Sequence, residues 1–353
     1  MDTQKKALAP FIRDEGTSQG MMLDLCVALA PALIWGIYLF GFRALVITLF
    51  SLIFSVGFQA LFQAILRRPV TAGDLSAVVS GLLLAMLLPV SVPLWIVPIG
   101  AFLVQILGKE VFGGLGRNPI NPALFAKAVL LLAFPSYLNR FTQPFAALSP
   151  FRIHLSQESL AEEIASSPLS DLKTGDLLSL SVSDRLTGNM PGNIGEVSAL
   201  LLLAGLLYLL VRRVVTWQTP VFFLGSAALF SFLFPGPGDR FSYVIAYLFT
   251  GSLVLGAAFC ANDPASSPVT KTGRALYGVL CGAFTVLFRA LFDAFQGVVF
   301  AILLANLLSR PLDLMCRPRP YGEKNPYLLW LRDRFSRKGA KKGAKSKKGA
   351  SNR

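Results

Sequence analysis

Long apolar runs alternate with short clusters of Gly, Pro, Asn and basic residues along most of this chain. Runs of this length and hydropathy predict helices that cross a membrane. Ten are expected, at roughly 21–40, 44–66, 75–89, 93–107, 119–136, 196–211, 219–234, 241–261, 275–291 and 295–310. The third and fourth are short and separated only by Val90-Ser91-Val92-Pro93, so a single re-entrant hairpin is the alternative to two crossings.

Two polar segments interrupt this pattern in a related way. Gly113-Gly114-Leu115-Gly116-Arg117-Asn118-Pro119-Ile120-Asn121-Pro122 opens directly into the apolar run from Phe125 to Phe134. Each proline holds the preceding asparagine out of the helical region, and Pro122 suits the first turn of a helix, where its missing N–H is no loss. Ala261-Asn262-Asp263-Pro264-Ala265-Ser266-Ser267-Pro268-Val269-Thr270 is similar in composition and in its place before an apolar run. The amides and hydroxyls of Asn118, Asn121, Asn262, Asp263 and Thr270 suit hydrogen bonding to a planar heterocycle or coordination of a cation. Helix capping explains the same residue types equally well.

A third segment, Gly188-Asn189-Met190-Pro191-Gly192-Asn193-Ile194-Gly195-Glu196, leads into the sixth span. Its glycines allow backbone to approach a ligand, and Glu196 stands where a helix N-terminus favours a carboxylate. Asp24, Lys127 and Arg289 also fall inside or at the ends of spans. Ionisable groups at membrane depth are costly, so Glu196, Asp24 and Lys127 are candidates for an ion pathway. Lys127 is alternatively a snorkelling residue, and Arg289 has Asp293 one helical turn away as a partner.

The composition agrees with a membrane protein: 54% of the 353 residues are hydrophobic and 15% are charged. The net charge of +14 is misleading, because Arg332 to Arg353 carries ten Lys/Arg against one Asp. That tail reads as low-complexity and solvated, with anionic lipid as its natural partner. The loops holding Arg67-Arg68, Lys109/Arg117, Arg212-Arg213 and Lys271/Arg274 are the basic set, while Arg43, 137–195 and 235–240 form the other. By the positive-inside rule both termini are then cytoplasmic. Four cysteines and one histidine, none in a CxxC pair, argue against a metal centre built by this chain alone. There is no Walker motif, no GxGxxG and no Ser/His/Asp set, and nothing suggests nucleic acid as a partner.

The expected fold is an all-α polytopic membrane protein of about ten transmembrane helices in two inverted five-helix halves. Its parts are a cytoplasmic segment 1–20, a first repeat 21–138, an extracytoplasmic loop 139–195, a second repeat 196–315 and a basic cytoplasmic tail 316–353. Inverted repeats with interrupted helices place ligand or ion sites at the repeat interface.

Four of these stretches together resemble one family: residues 114–123, 188–198, 263–270 and Arg317-Pro318-Arg319-Pro320-Tyr321-Gly322. They look like the D subunit of the Rnf ion-translocating electron-transport complex, to which the B subunit of the sodium-pumping NADH:quinone reductase is similar. The resemblance runs from about Pro10 to Gly322. It implies a bacterial inner-membrane subunit that works with other membrane and flavoprotein subunits and couples electron transport to Na⁺ or H⁺ movement. It also implies flavins: an FMN attached through a phosphoester to a Thr between spans five and six, and a second, non-covalent flavin such as riboflavin. This chain has no Gly-Ala-Thr there; Ala165-Ser166-Ser167-Pro168-Leu169 aligns with the family pattern and puts Ser167, or with a one-residue shift Ser166, at the attachment position. Asn189, Asn118, Asn121, Asn262, Asp263 and Thr270 are the remaining cofactor-site candidates. A non-redox transporter or channel, and a structural assembly subunit that has lost covalent flavin, are the competing functions.

Overall fold

The computed structural model describes residues 17–67, 72–145, 164–165, 186–196, 198–234, 239–291 and 296–316. The described residues through Met315 belong to one compact, almost wholly helical unit. The helices are α1 (Ser18–Phe40), α2 (Phe42–Ile65), α3 (Ser76–Leu87), α4 (Ile96–Phe102), α5 (Pro122–Ala133), α6 (Pro135–Leu138), α7 (Ala199–Val211), α8 (Gln218–Leu233), α9 (Arg240–Phe249), α10 (Leu253–Leu255), α11 (Lys271–Leu291) and α12 (Gly297–Met315). One short antiparallel pairing joins Phe141–Thr142 to Ile164–Ala165.

Every expected span has a helix at its place, yet the lengths differ from expectation. Among the described residues four helices (α1, α2, α11 and α12) are long and apolar enough to cross a membrane, and the α9–α10 pair, bent by 64°, is a broken span or a re-entrant loop. The helices α3, α5, α7 and α8 are shorter apolar helices. Twelve residues, as in α3 and α5, rise only about 18 Å. Side chains such as Ile34, Tyr38 and Ile53 on α1 and α2 stay more than 60% exposed. A membrane protein turns such an apolar face to lipid.

The short helices are linked by breaks and by wider coils. After α3 the chain leaves the helix at Leu88 and re-enters at Ile96; α4 then continues as a π-helix over Leu103–Glu110. After α9 it breaks at Thr250, and α10 continues as a π-helix over Gly256–Cys260. Each π-helix runs straight into one of the two polar loops, followed by α5 or α11. Single-turn π segments inside helices concentrate at functional sites, and here the order break, helix, π-helix, polar loop, helix occurs twice.

Buried arginines close both breaks. Arg43, 1% exposed, donates from Nε to the Val90 carbonyl and from Nη2 to that of Val92, both at 2.8 Å. Arg289 donates to the carbonyls of Thr250 (2.7 Å) and Tyr247 (3.2 Å), with its guanidinium 4.7 Å from the Tyr247 ring centroid. The expectation that Arg43 is a loop charge is therefore corrected: it lies in the first turn of α2 and is buried. The carbonyls freed at a break need donors, and a guanidinium offers five. Asp293, the expected partner of Arg289, lies outside the described residues.

One hydrophobic cluster takes residues from all along the chain, including Leu29, Met86, Leu124, Phe259 and Ala305; a second is built from α1 to α6 together with Ile194. The α8–α11 packing is close because Gly278 and Gly282 face it: a β-carbon at Gly278 would sit 2.7 Å from the Thr219 carbonyl. Small residues one turn apart let helix backbones approach in lipid.

Candidate functional site

The first polar loop begins with Gly113, Gly114 and Gly116 at φ 108°, 92° and 83°, a conformation that glycine adopts without strain. It ends at Asn121, held extended at ψ 120° ahead of Pro122. The Asn121 side chain then does two things. Its Oδ1 accepts from the backbone N–H groups of Ala123 (3.0 Å) and Leu124 (3.2 Å), capping α5, and its Nδ2 donates to the Cys260 carbonyl at 3.1 Å. That carbonyl ends the second π-helix. Capping and the joining of distant parts of the chain are thus properties of one residue.

Asn118 makes the second link. Its Nδ2 donates to the Ile120 carbonyl (3.1 Å) and to Asp263 Oδ2 (3.0 Å), across 145 residues of sequence. Asp263 also accepts from Ser266 Oγ at 2.9 Å and from the Ala265 N–H at 3.4 Å. Burial pushes the Asp263 carboxyl above its ordinary range, and these hydrogen bonds act against that shift. Asn262 Nδ2 donates to the carbonyls of Ala257 and Ala258 and so closes the end of the π-helix. Thr270 caps α11 through the Gly273 N–H and donates to Asp313 on α12, which also accepts from the N–H groups of Val269 and Thr270.

Two cavities flank the Asn118–Asp263 bond. The inner one, among α1, α3, the two π-helices and the two loops, is lined on its polar side by Asn118, Asn121, Asn262, Asp263 and Lys109 with Ser76 and Ser80, and on its apolar side by residues such as Leu29 and Leu83. At about 70 Å³ it has room for a few waters, each taking about 30 Å³, and not for a tricyclic ring. The outer one, of about 490 Å³, is a polar cleft lined by Phe112, Arg117, Asn118, Ser267, Arg310 and Asp313, among others. Its size is that of a small-molecule site. Its lining combines two guanidinium groups, hydroxyls, the Asp313 carboxylate and an aromatic ring, a set that can hydrogen-bond to a planar heterocycle bearing carbonyl oxygens.

Glu196 and Lys127 come together at a separate place, deep in the bundle. Residues 193–195 lie against the end of α3: Ile194 N–H donates to the Leu88 carbonyl (3.1 Å) and Gly195 N–H to that of Met86 (2.9 Å). This satisfies carbonyls that a helix C-terminus leaves open, and it carries Glu196 inward. The Glu196 carboxylate accepts from Asn193 Nδ2 at 2.6 Å and has Ser252, just before α10, beside it. Lys127 is fully buried, its Nζ has no hydrogen-bond partner, and Glu196 is the carboxylate whose field reaches it. The snorkelling alternative is corrected: α5 sits inside the bundle with Ala126, Ala128 and Leu130 buried around this lysine, leaving its ammonium no path to water.

The other candidates lie elsewhere. Asp24 on α1 accepts from Tyr208 Oη (2.9 Å) and pairs with Arg212 at the end of α7 (3.3 Å). Asn189 is exposed and lines neither cavity. Ser166 and Ser167 lie outside the described residues. Sequence reasoning passed over Ser252 and Asp313; the signal for Ser252 is the Thr250-Gly251-Ser252 interruption in an apolar run. Among the described residues no group of three or more His, Cys, Asp or Glu is placed to hold a metal ion.

Residues 5–322 match the model of the NQR2, RnfD, RnfE family. The chain is 36% identical over 317 residues to the D subunit of the Na⁺-translocating ferredoxin:NAD⁺ oxidoreductase complex of Acetobacterium woodii, covering 89% of this chain and 94% of that one. It is 35% identical to the D subunit of an ion-translocating oxidoreductase complex of Stutzerimonas stutzeri, over 86% of this chain and 91% of the relative. The D subunit of a proton-translocating ferredoxin:NAD⁺ oxidoreductase complex from Clostridium ljungdahlii is 29% identical, over 90% of this chain and 95% of the relative.

Proposed function

Because the chain belongs to the NQR2, RnfD, RnfE family, we propose that it is the membrane flavoprotein subunit of an Rnf-type complex that couples electron transfer to movement of Na⁺ or H⁺. Family membership makes it one subunit of a multi-subunit translocase, so its partners are the membrane and flavoprotein subunits of that complex. The active centre is completed between subunits, which fits a chain with no catalytic set of its own.

The observation that carries the flavin reading is the meeting of two polar loops from distant parts of the sequence at a 490 Å³ cleft. A bound flavin supplies reversible electron transfer coupled to protons. Arg117 and Arg310 would favour electron-rich carbonyl oxygens and Phe112 would stack. The Asn118–Asp263 bond would hold the cleft floor, and Asn121, Asn262 and Thr270 would brace it. Asn189 belongs to a different loop and would meet a cofactor only at the opposite end of the bundle, where the 139–195 segment with Ser166 and Ser167 would carry a covalent FMN.

The repeated order of break, π-helix and polar loop supports two inverted halves, 21–138 and 196–315, and about ten crossings. With both termini cytoplasmic, the two Asn loops face the cytoplasm and the 139–195 loop faces the opposite side. Glu196 and Lys127 would form the middle of an ion path between the halves, with Asp24 near one mouth.

The test is direct. Purified complex run on a denaturing gel under ultraviolet light should show a fluorescent band for this chain, lost in the Ser167→Ala or Ser166→Ala variant. Flavin should also be released by denaturation and fall by half or more when Arg117 and Arg310 are both replaced by Ala. A colourless preparation whose denatured supernatant holds no flavin would refute the reading.

A further inference from the structure

The buried set around Glu196 has more unfilled valences than an ion pair needs. Glu196 is 4% exposed and Lys127 0%. No ion pair closes between them within 4.0 Å among the described residues. Lys127 Nζ and Asn193 Oδ1 are each buried without a hydrogen-bond partner, and the Ser252 hydroxyl stands beside the Glu196 carboxylate. An unmatched ammonium and an unmatched amide oxygen near one carboxylate are expensive in a low-dielectric interior. The cost falls when a small cation takes the carboxylate and the two neutral oxygens together.

We propose that Glu196, Asn193 Oδ1 and Ser252 Oγ form a site for one dehydrated Na⁺, and that the Lys127 ammonium is a built-in counter-cation which the incoming ion displaces. This rests on the reading that Glu196 and Lys127 lie in the ion path, and it adds what the site binds and how it is emptied. A single carboxylate with neutral oxygens suits a monovalent cation; divalent ions of this hardness gather more carboxylates. Neutral oxygens beside a carboxylate are what an alkali cation needs for its shell, whereas a proton on Glu196 leaves Asn193 Oδ1 unmatched. Lys127 and Na⁺ cannot both neutralise one carboxylate, so occupancy by one releases the other. The tethered ammonium keeps Glu196 from trapping the ion, which is what a conducting site requires. The other ionisable groups facing this set are the Cys260 thiol and, beyond it, Asp263. Both stand on the side of the Asn loops, so the loop region is electrostatically continuous with the site.

Equilibrium binding of ²²Na⁺ to the detergent-purified whole complex tests this. Lys127→Met should bind Na⁺ about tenfold tighter or more, because the competing charge is gone. Lys127→Arg, which keeps the charge, should bind as wild type does. Glu196→Gln, alone or with Lys127→Met, should lose the site. Ser252→Ala leaves the charges alone and should weaken binding severalfold; it decides the matter if Lys127→Met fails to assemble. Equal affinity in wild type and Lys127→Met, full binding in Glu196→Gln, or unchanged binding in Ser252→Ala would each overturn the proposal. Uptake into proteoliposomes separates the two levels. If Glu196→Gln abolishes Na⁺ uptake while Lys127→Met binds no tighter, the path stands and the tethered cation falls. If Glu196→Gln transports normally, both fall.

Discussion

Asn121 uses both ends of its amide, so neither aspartate nor alanine should replace it cleanly. The oxygen caps α5 and the nitrogen holds the carbonyl of Cys260. Asn121→Ala removes the cap and strands that carbonyl, a loss of about 1–3 kcal/mol. Asn121→Asp keeps the cap and loses only the donor, so its midpoint in thermal unfolding of the solubilised protein should lie between alanine and wild type. Asp263 makes a prediction in pH. Burial raises its folded-state value above the ordinary 3.8, so the folded protein holds this proton more tightly than the unfolded chain. Its stabilising contribution is complete below 3.8 and is lost as pH rises through the raised value. Asn at this position still accepts from Ser266 and carries no charge. Asp263→Asn should therefore gain stability relative to wild type as pH rises from mildly acidic to neutral; a difference that is flat with pH would contradict the burial argument.

At the scale of elements, the breaks at 88–95 and 250–252 depend on one arginine each. Arg43→Met leaves the carbonyls of Val90 and Val92 buried without donors, at a cost of about 2–5 kcal/mol. Arg289→Met should cost a similar amount, and it also takes the guanidinium away from the Tyr247 ring. Arg43→Lys keeps the charge and reaches fewer carbonyls, so it should recover only part of the loss. Thermal unfolding of the three variants checks this, and Arg213→Met, on an exposed residue, serves as the neutral control. The elements also show what was legible in advance. Among the described residues hydropathy located the longer apolar helices, and the Asn-Pro pairs located the loop before α5, because proline acts through local sterics. The two π-helices and the shortness of α5 and α7 were not legible, because local hydropathy does not show where one segment docks on another, as 193–195 does on Met86 and Leu88. Arg43 was misassigned because a charge one turn inside a helix and a charge in a loop have the same hydropathy. The Asn loops were read as a pair, but the cleft beside them and the partners of Glu196 depend on segments far apart in sequence.

For the molecule as a whole, the Asn118–Asp263 and Asn121–Cys260 bonds and the Asp24–Arg212 pair are among the links between the earlier and later parts of the chain. The loop bonds join residues near α5 to the end of the second π-helix and to the polar loop that follows it, and the ion pair joins α1 to the end of α7. The ion pair joins a buried Asp24 to an exposed Arg212 and is open to screening on its arginine side, whereas the loop bonds are buried or half-buried. If ion passage requires the parts to shift, the loop bonds must break and reform in each turnover. A complex carrying Asn118→Cys and Asp263→Cys, bridged by a short bis-methanethiosulfonate reagent, should then lose ion uptake into proteoliposomes, and thiol reduction should restore it. The same reagent on either single cysteine should leave uptake as it was. Flavin fluorescence, read in parallel, distinguishes loss of motion from loss of cofactor. Uptake that continues in the bridged complex would mean that the two loops form a fixed wall, and that any gating lies deeper, around Lys127 and Glu196.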